Sequence, residues 1–334
     1  MKIDITKNLF SYRKLPKNID KLNISNFFHE LKKYIPSSHI RVVNDVYLIN
    51  QSLISFKTFK IFSNYTHYPN NKKLDVAKLA IKNIINSRFE DKQTHEEGIW
   101  IFDDKANIYY HWLLDSLQRY ILIPKEFKNF PILIPASYNF PWVIEHLNFL
   151  GLKYILLESN KKNKIKKILI PSYSAPSGNF NKTVLHQLQK LFLDKISEIN
   201  FDNKKERIWI DRVDTRREIT NRHEIEKVLK KFDFYIINPT NLKIEDMIKL
   251  INNAKVIAGP HGSGLANALF AQKNTTLIDI REKDDNFRNA LFSMASDLGL
   301  NYYCLNETIL DQKTEKVYLN PKVFEKFLLE ILKK

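Results

Sequence analysis

The sequence predicts an α/β protein made of two Rossmann-like domains facing each other across a cleft. Three observations lead there. From Gly98 onward, short apolar runs alternate with helical patterns, the signature of βαβ units on a parallel sheet. A second alternating block opens at Arg207, beyond a Pro- and Ser-bearing loop at 171–178. The chain has 334 residues, more than one hydrophobic core usually serves. The boundaries expected are an N-terminal domain over 1–180, a C-terminal domain over 181–316, and a helix at 317–334 that packs back on the fold.

In order, residues 1–38 read as a loosely structured start with a short amphipathic segment at 24–34. Runs at 40–43, 46–49 and 53–56 look like antiparallel strands, with a tight turn at Asn50 and Gln51. Residues 63–73 are polar, contain Pro69, and read as a loop; 76–88 carry apolar residues at helical spacing. Then follow a strand at 99–102, a helix at 107–122, a strand at 131–134 and a helix at 141–150 that Gly151 ends. Strands at 154–157 and 165–170 and an amphipathic helix at 182–199 complete the first block. The second block alternates strands at 208–210, 234–237, 254–258 and 276–280 with helices at 222–232, 244–253, 265–270 and 286–298.

Composition bounds the partners. Lys and Arg number 53 against 37 Asp and Glu, a net charge of +16 that favours polyanions: nucleic acid, an anionic membrane face, or an acidic saccharide or nucleotide. Abundant Lys, Asn and Ile also fit a plain compositional bias of the gene. No nucleic-acid-binding module is recognisable, so no nucleic-acid partner is expected. The single Cys304 excludes an intramolecular disulfide and a cysteine metal site. No apolar run approaches the ~20 residues of a spanning helix, and Met1-Lys2-Ile3-Asp4 does not open a signal peptide. A cytoplasmic protein, peripheral at the inner membrane, is the expectation.

Three segments could carry chemistry. In His111-Trp112-Leu113-Leu114-Asp115-Ser116-Leu117-Gln118-Arg119, helical spacing would stack His111, Asp115 and Arg119 on one polar stripe. A carboxylate one turn from an imidazole can orient it as a general base; an ordinary surface helix with an Asp–Arg pair is the plain alternative. In 211–221, Arg212, Arg216 and Arg217 follow a strand, and their planar forks suit a diphosphate or carboxylate. A solvated charged loop would look the same. Asp211 and Asp214 lack the spacing of a metal cage. In Gly259-Pro260-His261-Gly262-Ser263-Gly264-Leu265-Ala266-Asn267, three of the seven glycines fall within six residues, between a strand and a helix start. Such a turn presents unpaired N–H groups and a positive helix end to a phosphate, with Asp279 on the next strand placed to accept from ribose hydroxyls. It fits neither the dinucleotide fingerprint nor the P-loop.

Together, in this order and spacing, the segments resemble glycosyltransferase family 61, which includes bacterial capsular polysaccharide transferases. The first matches at His111 to Asp115, Leu117 and Arg119; the second at Arg212, Arg217 and Asn221; the third at Gly259 to Leu265 and Asn267. The chain departs from the family's usual residues at Asp211 (Ser), Arg222 (Glu) and Asp279 (Glu). The resemblance implies a GT-B-like fold and an inverting transfer from a nucleotide-sugar donor to a hydroxyl of a growing surface glycan. The acceptor would be an oligosaccharide or lipid-linked glycan. His111 or Asp115 would be the base and Arg119 an acceptor contact. Arg212, Arg217, Asn221, His261, Gly262, Ser263, Gly264, Asn267 and Asp279 would hold the donor, with no cofactor and no metal. A nucleotide-binding scaffold without catalysis and a basic nucleic-acid-binding protein are the alternatives.

Overall fold

The computed structural model describes residues 1–49, 52–58, 60–66, 73–86, 91–158, 161–196, 205–285 and 288–332. Its strands, in chain order, are β1 (Lys2–Asp4), β2 (Leu9–Tyr12), β3 (Lys32–Ile35), β4 (His39–Ile49), β5 (Ser52–Ser55), β6 (Lys60–Ile61), β7 (Asp91–Ile99), β8 (Ile132–Pro135), β9 (Tyr154–Leu157), β10 (Lys161–Pro171), β11 (Arg207–Ile210), β12 (Tyr235–Ile237), β13 (Val256–Pro260), β14 (Thr276–Glu282), β15 (Asn301–Leu310) and β16 (Val317–Leu319). The chain is mixed α/β and divides into two units. One is Met1–Leu9 with Ile35–Ser177; the other is Phe10–Tyr34 with Gly178–Lys334.

The first unit carries a sheet in the order β6-β5-β4-β10-β7-β8-β9, with β1 also on β4. It is mixed: the strands expected to be antiparallel over 40–56 share one sheet with the parallel set expected from Gly98 on. β10, β7, β8 and β9 run parallel; β4 runs antiparallel to β10, β5 and β1. The cause is local. Short connections join β4 to β5 and β5 to β6, and a short connection can only make an antiparallel pair, whereas parallel pairing needs a long crossover. β7 also ends at Ile99, so Trp100, Ile101 and Phe102 are a fully buried coil rather than a strand. Ser63–Thr66 form a helical turn where a loop was expected, and the helix after it is Lys73–Asn86. The turn at Asn50 and Gln51, the Pro69 loop and the helix end at Arg88 lie outside the described residues, as do the ends expected at 197–199 and 286–287.

The second unit's sheet runs β12-β11-β13-β14-β15-β16. Its first five strands are parallel and β16 closes the edge antiparallel. Helix 222–231 and the C-terminal helix 321–332 cover one face. There Trp209, Ala258, Ile278 and Ile280 meet Ile225, Leu229, Phe324, Phe327 and Leu328 in one core. Each large apolar side chain so buried contributes roughly 1.5–3 kcal/mol. Because strand side chains alternate, Leu277 and Asp279 point to the other face. Residues 10–34, expected in the N-terminal domain, belong to this unit. Ser11 donates to Asp297 at 2.8 Å, and Asn18 donates to the Cys304 carbonyl at 2.7 Å. The 24–34 segment is not one helix: Ser25–Phe28 is a helical turn and Lys32–Ile35 is strand β3, paired with β2.

In the second sheet, β11 leads to β12 on one side while β13 leads to β14 on the other. Adjacent strands whose connections leave in opposite directions open a crevice at their carboxyl ends, the usual ligand position of an open α/β sheet. The Arg212 turn follows β11 and the His261 turn follows β13.

Candidate active site

In the first unit, the expected helix at 107–122 is not a uniform α-helix. Tyr109–His111 and Leu117–Ile121 are α-helical, and Trp112–Ser116 form a π-helical turn. Such turns add about one residue to the helical circuit. Trp112 is anchored there by donating its indole N–H to His146 Nδ1 at 2.9 Å, and its ring stacks on Phe102. His111 Nδ1 lies 2.7 Å from Asp115 Oδ2. Since a carboxylate oxygen accepts, Nδ1 carries the proton and Nε2 is the atom that can take another. The same Oδ2 receives the Ser177 hydroxyl at 2.7 Å. His111 keeps 19% of its side chain accessible and Asp115 only 5%, so the imidazole is the more reachable of the pair.

The third segment in the second unit behaves as a strand, a turn and a run of 3-10 turns over Ser263–Phe270. The N–H groups of Ser263 and Gly264 stand at its start, where no preceding turn accepts them. A Cβ on Gly259 would come within 2.5 Å of the Ile210 carbonyl, so glycine there permits the close approach of β11 and β13. A Cβ on Gly262 would stand 1.6 Å from Arg212 Nη1, so glycine there lets the guanidinium lie against the turn. His261 Nδ1 lies 3.0 Å from both Asp279 oxygens, and the Tyr302 hydroxyl donates to Asp279 Oδ2 at 2.8 Å. Burial and the Asp279 charge hold the Tyr302 phenol well above its ordinary range, so it stays a donor.

Two arginines at this crevice have no carboxylate partner among the described residues. Arg212 donates only to the carbonyls of Arg216 and His261, at 3.1 and 3.3 Å. Arg217 Nη1 is buried without a hydrogen bond, and its backbone holds a φ of 63°, a left-handed conformation rare outside glycine. Desolvation, with Arg217 and Arg216 nearby, pushes the Arg212 guanidinium down to about 10, and burial beside Arg288 lowers Arg217 as well. Both remain charged at neutral pH, and an anion is what would relieve them. Asp211 and Arg222, the two departures from the family pattern in this segment, meet each other: Arg222 Nη2 lies 2.6 Å from Asp211 Oδ2 and its Nε 3.0 Å from Glu226.

Four of the residues assigned to the site from sequence have protein partners of their own. Arg119 does not share the His111–Asp115 stripe, because the π turn shifts the helical phase between them. It is fully buried, and its five N–H groups go to the carbonyls of Pro171, Ile101, Phe102 and Tyr65. It braces the helix and has no donor for an acceptor. Asp279 is fully buried and held by His261 and Tyr302. Asn267 is buried and donates to the Gly264 carbonyl at 2.8 Å, shaping the turn. Asn221 ties β16 to the next helix through the Leu319 backbone and Glu224. Sequence reasoning missed Ser177 and Tyr302, which reach their carboxylates from 62 and 23 residues away with no motif to announce them.

Among the described residues no helix is long and apolar enough to cross a membrane, and no three His, Cys, Asp or Glu side chains converge as metal ligands. No curated protein matches the chain. The family model described as Glycosyltransferase 61 matches residues 109–278, just over half of the sequence, from the His111 helix to β14. By that match the chain belongs to glycosyltransferase family 61.

Proposed function

We propose that this glycosyltransferase uses a nucleotide-sugar donor and transfers the sugar, with inversion, to a hydroxyl of a bacterial surface glycan carried as an oligosaccharide or lipid-linked acceptor. The observation that carries the donor assignment is the pair Arg212 and Arg217, charged, half-buried and in no ion pair among the described residues, after the carboxyl end of β11 and beside the turn that follows β13. In this reading they receive the diphosphate together with the N–H groups of Ser263 and Gly264 and the His261 ring. Arginine forks and turn N–H groups supply the positive charge that a departing diphosphate needs, so the reaction is independent of a metal ion.

The reading gives acceptor chemistry and donor binding to different residues. His111 Nε2 takes the acceptor hydroxyl proton, with Asp115 fixing the tautomer and stabilising the imidazolium. The acceptor oxygen bonds to the anomeric carbon as the bond from that carbon to the diphosphate oxygen breaks. The electron pair leaves with the diphosphate. The enzyme would work in the cytoplasm at the inner membrane.

The test is a panel of nucleotide sugars. Thermal shift should single out one nucleoside diphosphate sugar, since a ligand that binds only the folded state raises its stability. That same compound should be slowly hydrolysed by the wild type and not by His111→Ala. Binding of a donor without hydrolysis, or transfer to a matched acceptor that survives His111→Ala, would overturn the assignment.

A further inference from the structure

The β2–β3 ribbon has two unlike faces. Ser11, on the inner face, is bonded to Asp297. Next to the ribbon, Arg13 donates to Glu30 at 2.8 Å and to Asn179 at 2.9 Å. These contacts fix the ribbon onto the second unit. On the outer face, Phe10, Tyr12 and Tyr34 are exposed by 50%, 71% and 51%, and Lys32 stands among them with Nζ 4.8 Å from the Phe10 ring centre and 5.8 Å from that of Tyr12. Within the connection between the two strands, Ile24 and Phe28 are exposed by 50% and 69%. Residues 10–34 carry six Lys and Arg against two Asp and Glu; Arg13 is buried and Lys21 and Lys33 are ion-paired with Glu330 and Glu30, which leaves Lys14, Lys17 and Lys32 as exposed cations, on a chain of net charge +16.

We propose that the outer face of the β2–β3 ribbon is a docking surface for an anionic lipid bilayer. Aromatic rings interleaved with lysines are the composition of the membrane–water interface, where rings sit at headgroup level and ammonium groups meet lipid phosphates. Charge complementarity selects the anionic bilayer. A glycan is disfavoured by the ring geometry: Phe10 is tilted 46° to Tyr12 and 62° to Tyr34, and the lysine ammonium lies over two of the rings. No flat, open ring pair is left for a sugar to stack on. Three aromatics and a few lysines make a reversible contact that salt weakens. The surface is independent of the donor assignment, because none of its residues belongs to the candidate active site.

The experiment is co-sedimentation of the full chain with vesicles, either pure phosphatidylcholine or equal parts phosphatidylcholine and phosphatidylglycerol. The wild type should pellet with the anionic vesicles, less so as salt rises, and stay in solution with the neutral ones. The combined variant Phe10→Ser, Tyr12→Ser, Tyr34→Ser should lower the partition by on the order of tenfold or more, and Lys32→Glu should lower it and flatten the salt dependence. Circular dichroism and nucleotide-sugar thermal shift, both expected at wild-type values, show that these variants are folded. Helix 73–86 is the control, since it too exposes apolar side chains at Leu74, Ile81 and Ile85. If Leu74→Ser, Ile81→Ser, Ile85→Ser abolishes pelleting and the ribbon variant does not, the ribbon proposal falls. It also falls if the wild type ignores anionic vesicles, or if it binds a soluble polyanion such as heparin and no vesicle.

Discussion

His261 Nδ1 stands 3.0 Å from each oxygen of the Asp279 carboxylate, so the imidazole ring is aimed by a fully buried group. The Tyr302 hydroxyl holds the far side of that carboxylate at 2.8 Å. With Nδ1 as the donor, Nε2 is presented to whatever occupies the crevice. Asp279→Asn can offer an amide N–H to Nδ1 and so reverse the tautomer. It should lower kcat/KM by on the order of ten- to a hundredfold while leaving the fold intact, as loss of an orienting partner does elsewhere. Tyr302→Phe, which leaves the carboxylate in place, should cost less. Equal losses in the two variants would mean that the packing of this corner, rather than the ring's orientation, sets activity.

Gly259 and Gly262 sit three residues apart in one motif, yet substitution should separate their roles. Gly259→Ala drives a Cβ to within 2.5 Å of the Ile210 carbonyl, a backbone atom that cannot swing aside, so it should lower the unfolding midpoint. At Gly262 the obstacle is the Arg212 guanidinium, a flexible group. Gly262→Ala should lower the midpoint as well, because a backbone at φ 158° and ψ −171° suits glycine alone, and should in addition weaken donor binding by displacing Arg212. Thermal denaturation with and without nucleotide sugar distinguishes the two, and a Gly262→Ala protein that binds donor normally would remove Arg212 from the donor site.

Much of the frame was readable from the chain. Alternation of apolar runs and helical patterns predicts the parallel sheet of the second unit, because βαβ spacing leaves few other ways to pair the strands. The same alternation cannot reveal that β4 lies antiparallel against β10, since that pairing joins segments more than a hundred residues apart. Ideal helical spacing put Arg119 beside Asp115, and a π turn, which no residue preference marks, moved it away. Motifs located His111, Arg212 and His261 but not Ser177 or Tyr302. A hydrogen bond needs only one donor at the right place, and any serine or tyrosine brought there by the fold will serve.

Ser177 reaches over from the loop after β10 to give its hydroxyl to Asp115 Oδ2, the oxygen that also receives His111. Ser177→Ala should reduce turnover by roughly tenfold through looser positioning of the carboxylate. Asp115→Asn should reduce it further and Ser177→Thr should restore part of the loss. Donor affinity, read by thermal shift, should be unchanged in all three. A Ser177→Ala enzyme with wild-type turnover would show that His111 alone orients Asp115.

Arg119 separates a structural role from an acceptor contact. Arg119→Met strips hydrogen bonds from four buried carbonyls and should destabilise the protein by about 3–5 kcal/mol, the usual cost of emptying a buried charged network. Arg119→Lys should recover little, because an ammonium has three donors where the guanidinium uses five. Chemical denaturation measures this. A variant with wild-type stability and a raised acceptor KM would return Arg119 to the acceptor.

His146 sets a pH limit on the helix that bears His111. It is fully buried, its Nδ1 accepts the Trp112 indole N–H, and burial pushes its pKa from 6.5 down to about 3. The unfolded chain therefore binds a proton below 6.5 that the folded chain refuses until about 3. The stability contributed by the neutral ring is complete above 6.5 and declines as pH falls through that window, at up to about 1.4 kcal/mol per pH unit. Carboxylates titrate mostly below about pH 5, so the interval just above reports the histidines, His146 and also His39, whose pKa burial lowers as well. His146→Gln keeps an acceptor for Trp112 and removes the titration. Its unfolding free energy should be lower at neutral pH and slope less steeply than that of the wild type between about pH 5 and 6.5, the remaining slope including that of His39. Parallel curves for the two proteins would show that protonation of His146 does not limit the fold.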